Sequence, residues 1–169
     1  KEQAKQLSTF SMSNNENAKS PEMSFDKQWI LKKLKLLEPV LSSGKMPIER
    51  YNKILKTFNI KSFKKNTKFL DAGCGNGING IEVAKHNPDC MVFMTDVSIE
   101  GLMETKRKAK GLKNVYILQS DLHNLAFKES IFDYVWSEGV LHHTYSTLKA
   151  LISVEKTLKK QGMIYIWLY

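Results

Sequence analysis

From Lys68 to the end of the chain, short apolar segments alternate with helical ones. This alternation restricts the possible folds more than any other feature of the sequence. Strands are expected at Lys68–Ala72, Cys90–Thr95, Asn114–Gln119, Phe132–Ser137 and Met163–Tyr169. Helices are expected at Ile78–His86, from a Ser98 cap to about Lys110, and over Ser146–Lys159, with Gly162 breaking the last one. Continuously apolar strands separated by helices form a parallel sheet buried on both faces, because a strand that alternates polar and apolar residues leaves one face to water. The expected class is α/β with a doubly wound sheet, and no internal repeat is visible.

The 46 residues before Pro47 read differently. Residues 1–23 are polar and rich in Ser, Asn, Lys and Glu, the composition of a mobile arm. Ser24 is placed to cap a helix from about Phe25 to Leu37, with Ile30, Leu34, Leu37 and Leu41 on one face. Pro47 suits the first position of a second helix, whose apolar face would be Ile48, Tyr51, Leu55 and Phe58. Three regions follow: an arm at 1–23, basic helices at 24–66 that are candidates for a lid, and a core at 67–169.

The net charge is +9, and residues 27–68 supply all of the excess, with 12 basic residues against Glu38 and Glu49. Residues 69–169 hold 11 charges of each sign. The plain reading is a solvated helical face opposite the apolar stripes; the sharper one is attraction of an acidic substrate, RNA or an anionic membrane surface. Only Arg50 and Arg107 are arginines, which weakens the nucleic-acid reading, since Arg makes the bidentate contacts to phosphate and guanine. The longest apolar run, Met163–Tyr169, is far short of a membrane-spanning helix. Cys74 and Cys90 form no Cys-x-x-Cys, no metal-ligand spacing appears, and the N-terminus lacks a signal peptide. These features predict a cytoplasmic protein without a metal site.

Chemistry concentrates where the first strand meets the first core helix, at Asp71-Ala72-Gly73-Cys74-Gly75-Asn76-Gly77. A chain turning sharply there, with its backbone close to a ligand, requires glycine. The loop also fits Gly-x-Gly-x-x-Gly over Gly75–Gly80, the dinucleotide pattern. An acid follows at Asp96, ending the second strand, and Ser120-Asp121-Leu122 follows the third. Phe132–Ser137 leads to Gly139-Val140-Leu141-His142-His143, and Leu158-Lys159-Lys160-Gln161-Gly162 precedes the last strand.

In this order the segments resemble the class I S-adenosylmethionine-dependent methyltransferases over about residues 68–169, close to the group acting on quinones and other small molecules. The resemblance implies a Rossmann-like core, S-adenosyl-L-methionine as cofactor, and a small-molecule methyl acceptor. It implies that Asp71 lies near the methionyl amino end, that Gly73, Gly75 and Gly77 line the amino-acid and ribose portion, and that Asp96 accepts both ribose hydroxyls. It also implies that Val97 packs on adenine, that Asp121 meets the adenine amino group, and that the Leu122 N–H meets a ring nitrogen. On a residue reading alone, Asp96 could be a helix cap, and Asp121 a turn residue. A nicotinamide cofactor explains Asp96 equally well but leaves Asp71 and Asp121 without a role. His142 and His143 are candidate general bases, with Glu138 a weaker one; Cys74 is expected to be packed rather than nucleophilic. Phe25, Trp29 and Tyr51 are candidates for the acceptor pocket.

The family's sheet has seven strands, whereas this sequence stops in the fifth and begins with Lys. The expectation is a chain truncated after the fifth strand, with an apolar edge at Met163–Tyr169. RNA methylation and a non-catalytic cofactor-binding fragment are the alternative readings. Removing the Asp96 side chain is expected to change folding little.

Overall fold

The computed structural model describes residues 47–169; the polar arm, the Phe25–Leu37 helix, and the pocket roles of Phe25 and Trp29 lie outside them. The elements run α1 (Pro47–Thr57), β1 (Lys68–Ala72), α2 (Ile78–His86), β2 (Met91–Asp96), α3 (Ile99–Lys108), β3 (Val115–Gln119), β4 (Phe132–Glu138), a 3₁₀ turn (Leu141–His143), α4 (Thr147–Lys156) and β5 (Leu158–Trp167). The five strands pair in the order β3-β2-β1-β4-β5, all parallel. The order reverses between β1 and β4, and doubly wound sheets open their ligand crevice at such a switch point. The expected Rossmann-like class is therefore the observed one.

Side chains alternate between the two faces of the sheet, as the strand period of two requires. Phe69, Val92, Met94 and Trp136 pack with α2, Leu102 of α3, and Tyr51, Ile54 and Phe58 from α1 and the turn after it. Leu70, Ala72, Phe132 and Val135 pack on the other face with Ala150 and Val154 of α4 and with Leu122 and Leu125. Both faces are covered, so the central strands read as unbroken apolar runs. The Ser98 and Ser146 hydroxyls accept the N–H groups of Gly101 and Lys149, capping α3 and α4.

Three expectations need correction. The buried face of α1 holds Tyr51 and Ile54, with Phe58 beyond it, while Ile48 is 45% exposed. The helix meets the sheet one position round from the predicted stripe. Its charge is also not all solvated, because Arg50 and Lys53 pair with Glu138 at the end of β4. Finally, β5 begins at Leu158 rather than Met163. Phe132 pairs with Leu158 and Tyr134 with Met163, so two steps along β4 match five along β5, and the excess is taken up in an irregularity at 159–162. No helix among the described residues is long and apolar enough to cross a membrane.

Candidate functional site

The glycine loop leaves the carboxyl end of β1 and enters α2. Gly73, Gly75 and Gly77 adopt φ of 77°, 54° and 72°, the left-handed region that other residues occupy at a cost of roughly 1–2 kcal/mol. Two of them are also closely covered. A Cβ on Gly73 would lie 2.3 Å from Val140 Cγ1, and one on Gly77 would lie 2.5 Å from Thr105 Cγ2. The loop is clasped to β2 by the Gly73 and Cys74 N–H groups, both donating to the Thr95 carbonyl at 2.8 Å. The Thr105 hydroxyl donates to the Gly75 carbonyl at 2.9 Å.

Asp96 ends β2 beside this loop. Its Oδ2 accepts the Gly75 N–H at 2.7 Å and its Oδ1 accepts the Ser98 N–H at 2.8 Å. One carboxylate thus ties the loop to the entrance of α3 while remaining partly exposed. The ribose and cap readings are compatible here, since each carboxylate oxygen carries two lone pairs. Val97 follows, and its carbonyl is fixed by the Gln119 amide at 2.9 Å.

Asp71 lies beneath the loop. It is 2% exposed, and its Oδ2 accepts the Gly80 N–H at 2.9 Å. Burial raises its pKa to about 7, against the lowering effect of the Gly80 bond, with Glu138 and Asp96 adding to the rise. The folded chain therefore holds this proton more tightly than the unfolded chain does. The associated stability is fully present below the ordinary value of 3.8 and is lost as the pH rises through about 7. Asp71→Asn keeps an acceptor for Gly80 and removes the titration. It is expected to flatten the pH dependence of thermal stability between about 4 and 7 and to raise Tm at pH 8. Melting curves of both proteins across that range check this; parallel curves would refute it.

At the β4 end, Glu138 receives the Lys53 ammonium, the Trp136 indole N–H at 3.2 Å and the Asn79 amide at 3.4 Å, with Arg50 Nη1 at 3.9 Å. Lys53 also stands 5.5 Å over the rings of Trp136 and Tyr165. Encircled by donors, Glu138 anchors α1 to the end of β4. Tyr51, the remaining pocket candidate, bonds Asn87 and stacks on His86 at the far end of α2, so it belongs to the packing.

His142 and His143 occupy the 3₁₀ turn after β4. The His143 Nε2 lies 2.8 Å from the Tyr169 hydroxyl, and burial, followed by the His142 charge, lowers its pKa. The rings of His142 and His143 are 3.9 Å apart, and both His142 nitrogens are buried without a hydrogen-bond partner among the described residues. Cys74 is buried, and burial pushes its thiol well above the ordinary value, as a packed rather than nucleophilic cysteine requires.

Asp121 lies in the loop after β3. It is exposed, and its Oδ1 accepts the His123 backbone N–H at 2.9 Å and faces His123 Nδ1 at 2.6 Å. This is a turn residue engaged with its own loop. Leu122 buries its side chain in the core. The contacts made by Thr105, Val140, Asn79 and His123 were not legible in the sequence, because each depends on a partner from another loop or helix. Only the inward placement of Thr105, one turn after Leu102, carried a hint.

A sequence model of the methyltransferase domain matches residues 63–168. The chain therefore belongs to the class I S-adenosylmethionine-dependent methyltransferase family, whose fold it has. It is 32% identical to a demethylmenaquinone methyltransferase of Staphylococcus saprophyticus over 66% of this chain and 47% of that protein. It is 30% identical to one from Staphylococcus aureus over 81% of this chain and 56% of that protein. The chain thus spans about half the length of the curated relatives it matches. Among solved structures, a SAM-dependent methyltransferase from Aquifex aeolicus is 26% identical, with a TM-score of 0.60 over 76% of this chain and 66% of that one. A Methanococcus maripaludis chain at 22% identity has a TM-score of 0.67 over 92% of this chain and 67% of that one, a likeness of fold.

Proposed function

We propose that the protein containing this chain transfers a methyl group from S-adenosyl-L-methionine to a small-molecule acceptor, a quinone-type ring in its reduced form being the first candidate. The observation that carries the reading is the Asp96 carboxylate, held by Gly75 and Ser98 beside three glycines in the left-handed region. The residues fit the cofactor: an ionised acceptor suits a vicinal diol, and a glycine loop in the left-handed region turns tightly from β1 into α2 beside it. Gly73, Gly75 and Gly77 would line its amino-acid and ribose portion, with Asp71 beneath them, Val97 against the base, and the Leu122 N–H at a ring nitrogen. When bound, the cofactor supplies an activated methyl group on a good thioether leaving group, so the main task of the chain is alignment.

A ring hydroxyl that must ionise before it can donate electrons needs a base. His143, whose pKa is lowered by partial desolvation and the neighbouring His142, is a candidate for that base. Beside it stands His142, whose two ring nitrogens have no hydrogen-bond partner among the described residues. The curated relatives named for demethylmenaquinone support the acceptor class. An RNA acceptor is less favoured, because Arg50 and Lys53 of the basic segment pair with Glu138.

The test is calorimetry with S-adenosylhomocysteine and with NAD, followed by transfer of labelled methyl to a reduced naphthoquinone carrying an open ring position. Binding of S-adenosylhomocysteine but not NAD, with label entering the ring, is the expected result. Binding of NAD alone would overturn the reading.

A further inference from the structure

We propose that Tyr169 is a proton relay, taking the proton of the methyl acceptor's hydroxyl while its own hydroxyl hydrogen passes to His143. The proposal rests on the methyl-transfer reading above and names the group that stands between the acceptor and the candidate base. Two neighbouring strand ends build the pair. His143 lies in the 3₁₀ turn after β4, and Tyr169 follows the end of β5. The Tyr169 hydroxyl is 2.8 Å from His143 Nε2, and its ring stands edge-on to His142, with centroids 4.3 Å apart and planes at 70°. Gly139 makes this reach possible. Its N–H donates to the Trp167 carbonyl at 2.9 Å, tying the two strand ends, and its φ is 71°. A Cβ there would lie 3.3 Å from Tyr169 Cε1 and 3.5 Å from Trp167 Cζ3, so a side chain would crowd the Tyr169 ring. The next residue, Val140, covers Gly73, so the turn that carries His143 starts beside the glycine loop.

The pairing directs how a hydroxyl can approach. His143 Nε2 is already met by the Tyr169 hydroxyl, whereas Tyr169 is 68% exposed. A phenol oxygen accepts as well as donates, so it can take a hydrogen bond from an incoming hydroxyl and keep the one to His143. The titratable neighbours of His143 include His142 on its own turn and Tyr169 beyond β5. Burial, followed by the His142 charge, lowers its pKa, so the ring is uncharged at pH 7 and above and one nitrogen carries a lone pair. In the relay that nitrogen is Nε2, with the ring hydrogen on Nδ1. The acceptor's O–H bond breaks, its electron pair stays on the acceptor, its proton joins the Tyr169 oxygen, and the Tyr169 hydrogen moves to Nε2. Tyr169 is thereby regenerated and His143 becomes imidazolium. The acceptor's electrons form the bond to the methyl carbon while the pair of the carbon–sulfur bond remains on sulfur, so no oxidant or reductant takes part. When a ring carbon is methylated, the hydrogen it loses restores the hydroxyl, and His143 returns its proton to water.

The test uses the whole protein containing this chain, labelled S-adenosyl-L-methionine, and a reduced naphthoquinone with an open ring position. Tyr169→Phe keeps the ring against His142 and removes only the hydroxyl. It is expected to lower kcat at pH 7 by roughly a hundredfold or more, the scale of a positioned general base, with S-adenosylhomocysteine affinity unchanged in calorimetry. The loss should shrink as the pH rises and the acceptor's hydroxyl ionises unaided. Adding His143→Gln to Tyr169→Phe should cost little more, because the two side chains act as one unit. A purely structural role would lower kcat equally at every pH. 15N-histidine-labelled wild type gives a reading that holds whether or not the naphthoquinone is accepted. The Nε2 of His143 should resonate as a ring nitrogen without a hydrogen, and should shift in Tyr169→Phe. An undiminished kcat at pH 7 in Tyr169→Phe, a loss independent of pH, or a hydrogen on Nε2 of wild type overturns the relay and leaves the methyl-transfer reading standing. Failure of wild type to bind S-adenosylhomocysteine overturns both.

Discussion

Asp96→Ala is expected to weaken S-adenosylhomocysteine binding by roughly one to three orders of magnitude, measured calorimetrically. The lower bound comes from hydrogen bonds to a charged acceptor, about 1.5–3 kcal/mol each and less than additive when one carboxylate is shared, at 1.4 kcal/mol per tenfold. The geometry adds a second source of loss. Without the carboxylate, the Gly75 N–H and the Ser98 N–H lose their acceptor, and the loop and the α3 entrance lose their tie. Folding is therefore not indifferent to this residue, contrary to the expectation from sequence, and a stability loss of about 1–3 kcal/mol should accompany the affinity loss. Asp96→Asn should rescue little, since its amide nitrogen would turn donors toward a donor. Unchanged affinity in Asp96→Ala would remove the ribose assignment.

Gly73→Ala should be the most destabilising substitution in the loop, at roughly 2–5 kcal/mol. The left-handed backbone accounts for roughly 1–2 kcal/mol of this, and forcing a methyl group into a packed site for about 1–3 kcal/mol more. The added Cβ would meet Val140 at 2.3, 2.7 and 2.9 Å, on three atoms of a branched side chain with little freedom to yield. Gly111→Ala separates the two contributions. Gly111 has φ +90° with nothing within 4 Å of the added Cβ, so only the backbone cost applies. Thermal unfolding of the two variants should differ by the packing component, and equal losses would show that Val140 gives way.

Much of the fold follows from local pattern. A continuous apolar strand has to be covered on both faces, so the strand and helix assignments from Lys68 onward implied a parallel sheet. The glycine spacing identified the loop before any coordinate was known, because left-handed backbone at three alternate positions is tolerable only for glycine. What failed was local in a different way. Ile48 and Ile54 are equally apolar, and only the docking angle of α1 decides that Ile54 is buried and Ile48 is not. The start of β5 was missed because residues 158–162 follow an irregular pairing set by β4, not by their own periodicity.

The candidate site divides along the same line. The sequence by itself determined the glycine loop, the acid at the end of the second strand, and the family, because each depends on residues close together in the chain. Tertiary structure alone decided that Glu138 gathers Lys53, Arg50 and Asn79, partners 59 to 88 positions away or held on other elements. Packing also decided that Asp71 is buried deeply enough to titrate near 7, and that Asp121 serves His123 beneath Tyr145. Charge state and hydrogen-bond partnership depend on what surrounds a side chain, and those neighbours arrive from distant parts of the chain only when the sheet assembles.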